Sequence, residues 1–421
     1  MKAEGTATLT GTDNGQRGLN ILVISQYYYP ENFQINEICE ELVKRGHRVT
    51  VLTGLPNYPT GKIPGEYRHG KLRHEVRNGV TILRNFEIGR RHGAIGLGLN
   101  YLSFWLSGSR AARHLKEEFD VVLAYQLSPV FSAIPGCVYK KKHKTPYIIY
   151  CCDIWPESLK LMIRSEKNPI FGAVKRMSRK IYNSADRVLL QTRYFYPYFK
   201  EVHGMGEDRL RYLPQFASDE YLSHDYHSDN GVYDFVFLGN TGIAQNIDKI
   251  IGAVDRIRDV PGFRLHIVGD GTCLAGLKKL VEEKDLGDLV KFYGRRPVEE
   301  MPEFYRLADA CLVSLSSENM TGLTLPAKVQ GYMAAGKTVV GMIDGAAKEV
   351  IEESGCGVCV PAGDEEALAA AMKQIVLHPE QYAACGEKGR EYFKAHFSKS
   401  QYMRELEKNM YELTEKEYVT V

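Results

Sequence analysis

What this 421-residue chain lacks narrows its reading first. No run approaches the roughly 20 apolar residues that a membrane-crossing helix needs. Nine cysteines are scattered without a framework. Cys356-Gly-Val-Cys359 has no second pair and lies in an apolar run, so it reads as reduced core thiols rather than a metal or redox site. The histidines show no H-x-x-x-H spacing and no ligand cluster stands out, so no metal is expected. No G-x-G-x-x-G occurs, which leaves a dinucleotide site little support. Basic residues do not interleave with aromatics in a recognisable module, so no nucleic acid is expected. The odd cysteine count and the lack of a secretory signal predict a reducing, cytoplasmic setting. Residues 1–18 are rich in Thr, Gly and Asn and read as a flexible tail outside the fold.

Net charge is scarce too, at +2, but the sum conceals a division. Residues 21–210 hold 29 Lys+Arg against 17 Asp+Glu, a net of +12, and residues 211–421 hold 23 against 33, a net of −10. A basic half suits an anionic partner, such as a membrane surface or a phosphate-bearing substrate; equally, the two halves attract one another. Length and an ordinary hydrophobic content of 44% predict a soluble protein of two or three domains.

Short apolar runs alternate with helical periods. Asn20–Gln26, Arg48–Thr53, Asp120–Ala124, Tyr147–Tyr150 and Arg187–Gln191 read as buried strands, with helices near 37–45, 133–142 and 170–184 between them. The polar stretch 219–232 reads as a linker. A second series follows at Tyr233–Leu238, Phe263–Val268, Val290–Tyr293, Ala310–Leu315 and Thr338–Gly341. The expected fold is therefore α/β, with two Rossmann-like domains, 19–218 and 233–388. Helices from 389 to 421 are expected to return to the first domain. A ligand belongs at the carboxyl ends of the strands, in a cleft between the domains.

Three turns are candidates for ligand contacts. Gly239-Asn240-Thr241-Gly242 follows a strand and precedes a helix, where glycines admit close backbone approach and a helix start favours an anion. Gly269-Asp270-Gly271 repeats that setting. Thr321-Gly322-Leu323-Thr324 leads through Pro326 into a helix bearing Lys328, whose charge in an acidic half suits a diphosphate. In the first half, Glu31-Asn32, Asn57-Tyr58 and Asp153-Ile-Trp155-Pro-Glu157 follow strands. Asp153 is the leading general-base or electrostatic candidate, and it is also well placed as a helix cap. The run Ala94–Leu106, with Arg90 and Arg91 before it and Arg110, Arg113 and Lys116 after it, suits either an interfacial helix or a buried one.

These motifs together resemble glycosyltransferase family 4, the retaining transferases with the GT-B fold. The resemblance spans about residues 20–400. It rests on Arg45-Gly-His-Arg-Val-Thr-Val-Leu-Thr53, His266-Ile-Val-Gly-Asp-Gly271, Ala308-Asp309, Tyr332-Met-Ala-Ala-Gly-Lys337 and Gly355–Asp364. Leu55–Lys62, Asp153–Ser158, Gly239–Gln245 and Pro326-Ala-Lys328 are similar to a bacterial branch of O-antigen L-fucosamine transferases.

The resemblance implies transfer of a sugar, such as N-acetyl-L-fucosamine, from a UDP donor to a polyprenyl-diphosphate-linked saccharide, without a metal cofactor, at the inner face of the plasma membrane. It implies catalytic roles for Asp153, Glu31 and Lys328, and acceptor contacts at Asn32, Asn57, Tyr58, Trp155 and Glu157. The sequence departs from the family where an Arg and a Lys usually follow the first strand of the second domain; Asn240 and Gln245-Asn246 stand there. Of the family's paired glutamates, Gly331 occupies the second position and Glu318 is the candidate for the first. Gln330 is then the candidate ribose contact, and Arg295 supplements Lys328. A sugar-nucleotide epimerase and a non-catalytic partner of a transferase are the competing functions.

Overall fold

The structure is a computed structural model that describes residues 17–90, 93–161, 168–227, 230–316 and 323–418. The chain divides into two compact units. The first takes the residues up to Gln191, Phe195–Leu213 and the chain from Met403 on; the second takes Thr192–Tyr194 and Pro214–Tyr402.

The first unit is built on β1 (Asn20–Ile24), α1 (Gln34–Lys44), β2 (Arg48–Thr53), β3 (His74–Arg77), β4 (Val80–Arg84), α2 (Gly93–His114), β5 (Val121–Gln126), α3 (Ile134–His143), β6 (Tyr147–Cys151), α4 (Pro169–Ser184), β7 (Arg187–Leu190), α5 (Phe195–Glu201) and β8 (Leu210–Tyr212). The eight strands run β3-β4-β2-β1-β5-β6-β7-β8, all parallel except the β3–β4 pair. That hairpin went unread in the sequence although its signal is there. Asn78-Gly79 joins two short alternating runs, and both residues take positive φ, 48° and 80°, as a two-residue hairpin turn requires. β1, β5 and β6 are buried along their whole length, which is why they appear as unbroken apolar runs rather than alternating ones.

The second unit contains β9 (Tyr233–Leu238), α6 (Ile247–Arg256), β10 (Phe263–Val268), α7 (Leu274–Glu283), β11 (Val290–Gly294), α8 (Met301–Leu307), β12 (Ala310–Ser314), α9 (Ala327–Ala334), β13 (Thr338–Met342), α10 (Ala346–Ser354), β14 (Gly357–Val360), α11 (Glu365–Leu377) and α12 (Cys385–His396). Its sheet is wholly parallel, in the order β11-β10-β9-β12-β13-β14. Successive residues of β9 serve opposite faces. Phe235 and Phe237 pack with Ile250, Ile251 and Leu368, whereas Val236 and Leu238 pack with Val329, Tyr332 and Phe393. Two covered faces are what a parallel sheet demands.

The last helix, α13 (Lys399–Tyr418), belongs mostly to the first unit. Glu407 pairs with Arg45 and His47, each at 3.0 Å. His47 Nδ1 accepts from the Leu19 N–H, so Nε2 carries the proton and donates to Glu407. Arg187 donates to the side chains of Asn409 and Glu412. All nine cysteines are free thiols.

α2 is inverted relative to an ordinary surface helix. Asn100, Ser103 and Phe104 face inward and are buried, while Ile95 is 82% exposed and Leu106 58%, with Leu99 and Leu102 also exposed. Their spacing of four, three and four residues puts the four apolar side chains on one stripe. Arg110 and Arg113, both exposed, continue the same stripe by the same spacing. Trp105 is turned away, half-buried, with its ring 5.8 Å from that of Phe131. No helix among the described residues is long and apolar enough to cross a membrane.

Candidate active site

In the second unit, three neighbouring strands end in turns that meet around one cavity of about 500 Å³. β9 delivers Gly239 and Asn240, β10 delivers Gly269, Asp270 and Gly271, and β11 delivers Arg295; Arg296 joins them in the wall. The two glycine turns touch. Gly269 has φ 149°, and a Cβ there would lie 1.7 Å from the Gly239 carbonyl oxygen, so no larger residue fits. The turns are also tied by hydrogen bonds from Gly239 N to Val268 O and from Thr241 N to Asp270 O. Gly242 N donates to Gln245 Oε1 at 3.1 Å. Asn246, at φ 46°, bends the chain into α6. The Thr241 hydroxyl is buried without a partner.

Lys328 stands beside this cavity rather than in its wall. The residue as a whole is half-buried, but its ammonium is inaccessible and has no hydrogen-bond partner. A Cβ on Gly239 would meet that ammonium at 3.0 Å. The Nζ lies 3.9 Å from the centre of the Phe237 ring, a cation–π contact that offsets part of the lost hydration. Burial lowers the Lys328 pKa to about 8. A buried, unpaired ammonium beside a glycine turn is costly unless an anion joins it. β9 is also the strand from which the order runs outward both ways, the switch point where ligands of such sheets bind. Among the described residues, no group of three or more His, Cys, Asp or Glu is placed to hold a metal ion.

Other expected donor residues are placed differently. Gln330 is buried, and its amide donates to the Gln215 carbonyl. Leu323 is half-buried and Thr324 exposed, just before α9. Glu318, Thr321 and Gly322 lie outside the described residues.

In the first unit, Asp153 follows β6, and its Oδ2 accepts from Ser128 Oγ at 2.7 Å. The same hydroxyl accepts from Trp155 Nε1 at 3.0 Å. Trp155 is thus a buried prop for Asp153 and not an open contact surface. Glu157 accepts from the Tyr198 hydroxyl and pairs with Lys160, so both its oxygens are engaged. Glu31 is buried; its Oε1 accepts from the backbone N–H of Asn57 at 2.7 Å and from that of Tyr58 at 2.5 Å. Burial raises the Glu31 pKa, partly opposed by those bonds. Asn57 is buried too, with Oδ1 accepting from Arg90 N and from Asn100 Nδ2. Only Asn32 and Tyr58 of the expected acceptor contacts are open to solvent, Tyr58 at 46%. Tyr58 packs with Tyr27 and Phe33 at ring distances of 5.8 and 5.4 Å, and the Arg90 guanidinium lies 5.7 Å from its centre.

Known proteins decide the family. The "Glycosyl transferase 4-like domain" matches residues 32–215, and "Glycosyl transferases group 1" matches residues 221–392. The chain is a GT-B glycosyltransferase. It is 23% identical over 419 residues to WcaI of Escherichia coli strain K12, a glycosyl transferase assigned to colanic acid biosynthesis, covering 92% of this chain and 98% of that one. Its fold is similar to that of sucrose-phosphate synthase from Thermosynechococcus elongatus, with TM-score 0.69 and 18% identity over 94% of this chain and 98% of that one. It is also similar to Anabaena Alr3699/HepE, solved in complex with UDP, with TM-score 0.67 and 14% identity over 93% and 100% of the two chains.

For this glycosyltransferase, sequence reasoning overlooked Arg296 and the buried trio Gln26, Glu87 and Asn100. Arg296 was legible as the neighbour of Arg295 after a strand. Glu87 was not, because a single carboxylate in Asn85-Phe-Glu-Ile-Gly89 carries no period. It is fully buried, and burial pushes its carboxyl up to about 8.

Proposed function

We propose that this glycosyltransferase moves a sugar from a UDP donor to a polyprenyl-diphosphate-linked saccharide, with retention at the anomeric carbon, during synthesis of a bacterial surface polysaccharide. N-acetyl-L-fucosamine or another N-acetylated sugar is the proposed cargo. The observation that carries the reading is the glycine-lined cavity with the unpartnered Lys328 ammonium beside it. The assignment of WcaI to colanic acid biosynthesis and the UDP complex of HepE support the polysaccharide product and the nucleotide.

In this reading the diphosphate lies against Gly239 and Gly269–Gly271, with Arg295 and Arg296 at its flank. As the glycosidic bond breaks, negative charge grows on the leaving diphosphate. Lys328, with Arg295 and Arg296 nearby, meets that charge, and that is where electrostatic catalysis acts. Lys328, already short of hydration, gains more from the growing charge than a solvated lysine would. These groups carry enough positive charge for catalysis without a metal, so activity should survive EDTA. Asp153, fixed by Ser128, serves the acceptor side as base or as electrostatic partner of the oxocarbenium-like centre. Glu31 shapes the loop at 57–58.

The protein is proposed to work at the inner face of the plasma membrane, with the apolar and basic stripe of α2 against anionic lipid. The test is nucleotide release across a panel of UDP- and GDP-sugars, with and without polyprenyl-diphosphate-linked saccharides in mixed micelles. Acceptor-dependent release with a new glycan product is expected. Acceptor-independent interconversion of donors would establish an epimerase, and nucleotide binding with no turnover across the panel a non-catalytic partner.

A further inference from the structure

Glu87 sits where four parts of the first unit converge. It lies in the segment between β4 and α2. Its Oε1 accepts from Gln26 Nε2, beyond β1, and from Asn100 Nδ2, on the inner face of α2, each at 2.7 Å. Its Oε2 has no hydrogen-bond partner and is pressed against Gly54, beyond β2, where a Cβ would come within 1.7 Å of it. The backbone of the segment is fastened on the same side. Ile88 N donates to Ser103 Oγ, and Ile88 O accepts from Asn100 Nδ2.

From this junction the bonds lead outward to the exposed rim. Asn100 Nδ2 reaches Asn57 Oδ1 at 3.3 Å, and Arg90 N reaches the same oxygen at 3.0 Å. Gly61 N then closes the loop on Asn57 O. Tyr58 and Arg90 are the two ends of this chain of contacts, and they form an aromatic ring with a guanidinium 5.7 Å from its centre. A half-exposed ring beside a guanidinium is a pair that suits a sugar linked to phosphate: the ring takes the apolar face of the sugar and the cation takes the phosphate. Gln26, Glu87, Asn57 and Asn100 are themselves buried, so they reach such a ligand only through the loop they hold.

We propose that Glu87 is a positioning residue for the acceptor. Through Asn100 and Asn57 it fixes the 55–62 loop and so sets the Tyr58–Arg90 pair against the phosphate-linked sugar of the acceptor. This rests on the reading of the first unit as the acceptor domain. The buried cluster earns its placement mechanically: removing the carboxyl leaves two amide side chains, those of Gln26 and Asn100, to find new partners, and the loop loses its anchor to α2.

The test compares Glu87→Gln, Glu87→Ala and Asn100→Ala by steady-state kinetics with separate variation of donor and acceptor, and by amide hydrogen exchange in the absence of both. The glutamine keeps an acceptor oxygen for Gln26 and Asn100, and its acceptor KM should stay within about threefold of the parent. Glu87→Ala should raise the acceptor KM by about tenfold or more while leaving the donor KM within about twofold. Exchange at Asn57, Tyr58 and Arg90 should quicken, with the second unit unchanged. If Glu87→Ala does not fold, Asn100→Ala breaks the same chain from the helix side and should give the same split. An unchanged acceptor KM and unchanged exchange in a folded variant would overturn the proposal, as would equal losses for donor and acceptor. Faster loop exchange in a protein whose wild type never turns over with any acceptor would instead sink the acceptor reading, and with it the kinetic role assigned to Glu87.

Discussion

The two units share an architecture and differ in what they leave unsatisfied. The acidic second unit has an all-parallel sheet, glycine turns packed back to back, and one buried ammonium without a partner. The basic first unit has a sheet with an antiparallel hairpin, a buried carboxyl that shares one oxygen among amides, and a helix that shows leucines to solvent. One unit is short of an anion and the other of an apolar surface. The proposed division into a nucleotide-holding unit and an acceptor- and membrane-facing one rests on that difference more than on the shared fold, since neither an orphaned ammonium nor an exposed leucine stripe stabilises a domain by itself.

The sharpest way to break the comparison is at Gly269. Gly269→Ala forces a clash with the Gly239 carbonyl and should destabilise the second unit by about 2–4 kcal/mol and abolish UDP binding. Thermal unfolding and titration would check it, and a stable variant that binds UDP normally would remove the glycine turns from the account. Asp153→Asn tests the other side. It should leave UDP affinity unchanged and lower kcat by about a hundredfold; an unaltered kcat would take Asp153 out of the chemistry.

Next in size is the α2 stripe. Changing Leu99, Leu102 and Leu106 to Ser should reduce binding to anionic vesicles by about tenfold or more without loss of folding, because each leucine is worth about 1.5–3 kcal/mol when fully buried. Full retention on vesicles would direct the search for the stripe's partner to protein surfaces. Trp105 is left out of this set because it already packs on Phe131.

The remaining test concerns Glu87. Its ordinary pKa is 4.5, and burial raises the folded value to about 8. The folded chain therefore holds a proton that the unfolded chain has released, so this group's contribution to stability falls as pH rises between those values. Glu87→Gln cannot titrate, and its stability should decline less over that window. Parallel pH profiles for the two proteins would show that Glu87 does not titrate there.

Much of this was legible. Asn20–Gln26 and Tyr233–Leu238 are apolar runs flanked by turn residues, and burial on both faces writes such runs directly into sequence. Lys328 was legible from its place after a turn in an acidic half. What escaped reading depended on orientation. The α2 sequence is apolar nearly all round, so composition cannot say which stripe faces out; the buried Asn100 decides it. Asn57 and Trp155 sit at the ends of strands as contact residues would, yet their polar atoms are bound inward. Spacing places a residue near a site but does not say which way it points.

The central claim, that the second unit holds a nucleoside diphosphate through Lys328, is tested most directly by titrating UDP into the wild type and Lys328→Met between pH 6 and 9. With the Lys328 pKa lowered to about 8 by burial, the free ammonium deprotonates above that pH and must regain its proton to bind the diphosphate. Wild-type affinity should therefore weaken as pH passes about 8, and the methionine variant should bind about tenfold more weakly at pH 7, a loss of about 1.4 kcal/mol, with no such pH dependence. Equal affinity of the two proteins across the whole range would contradict the account.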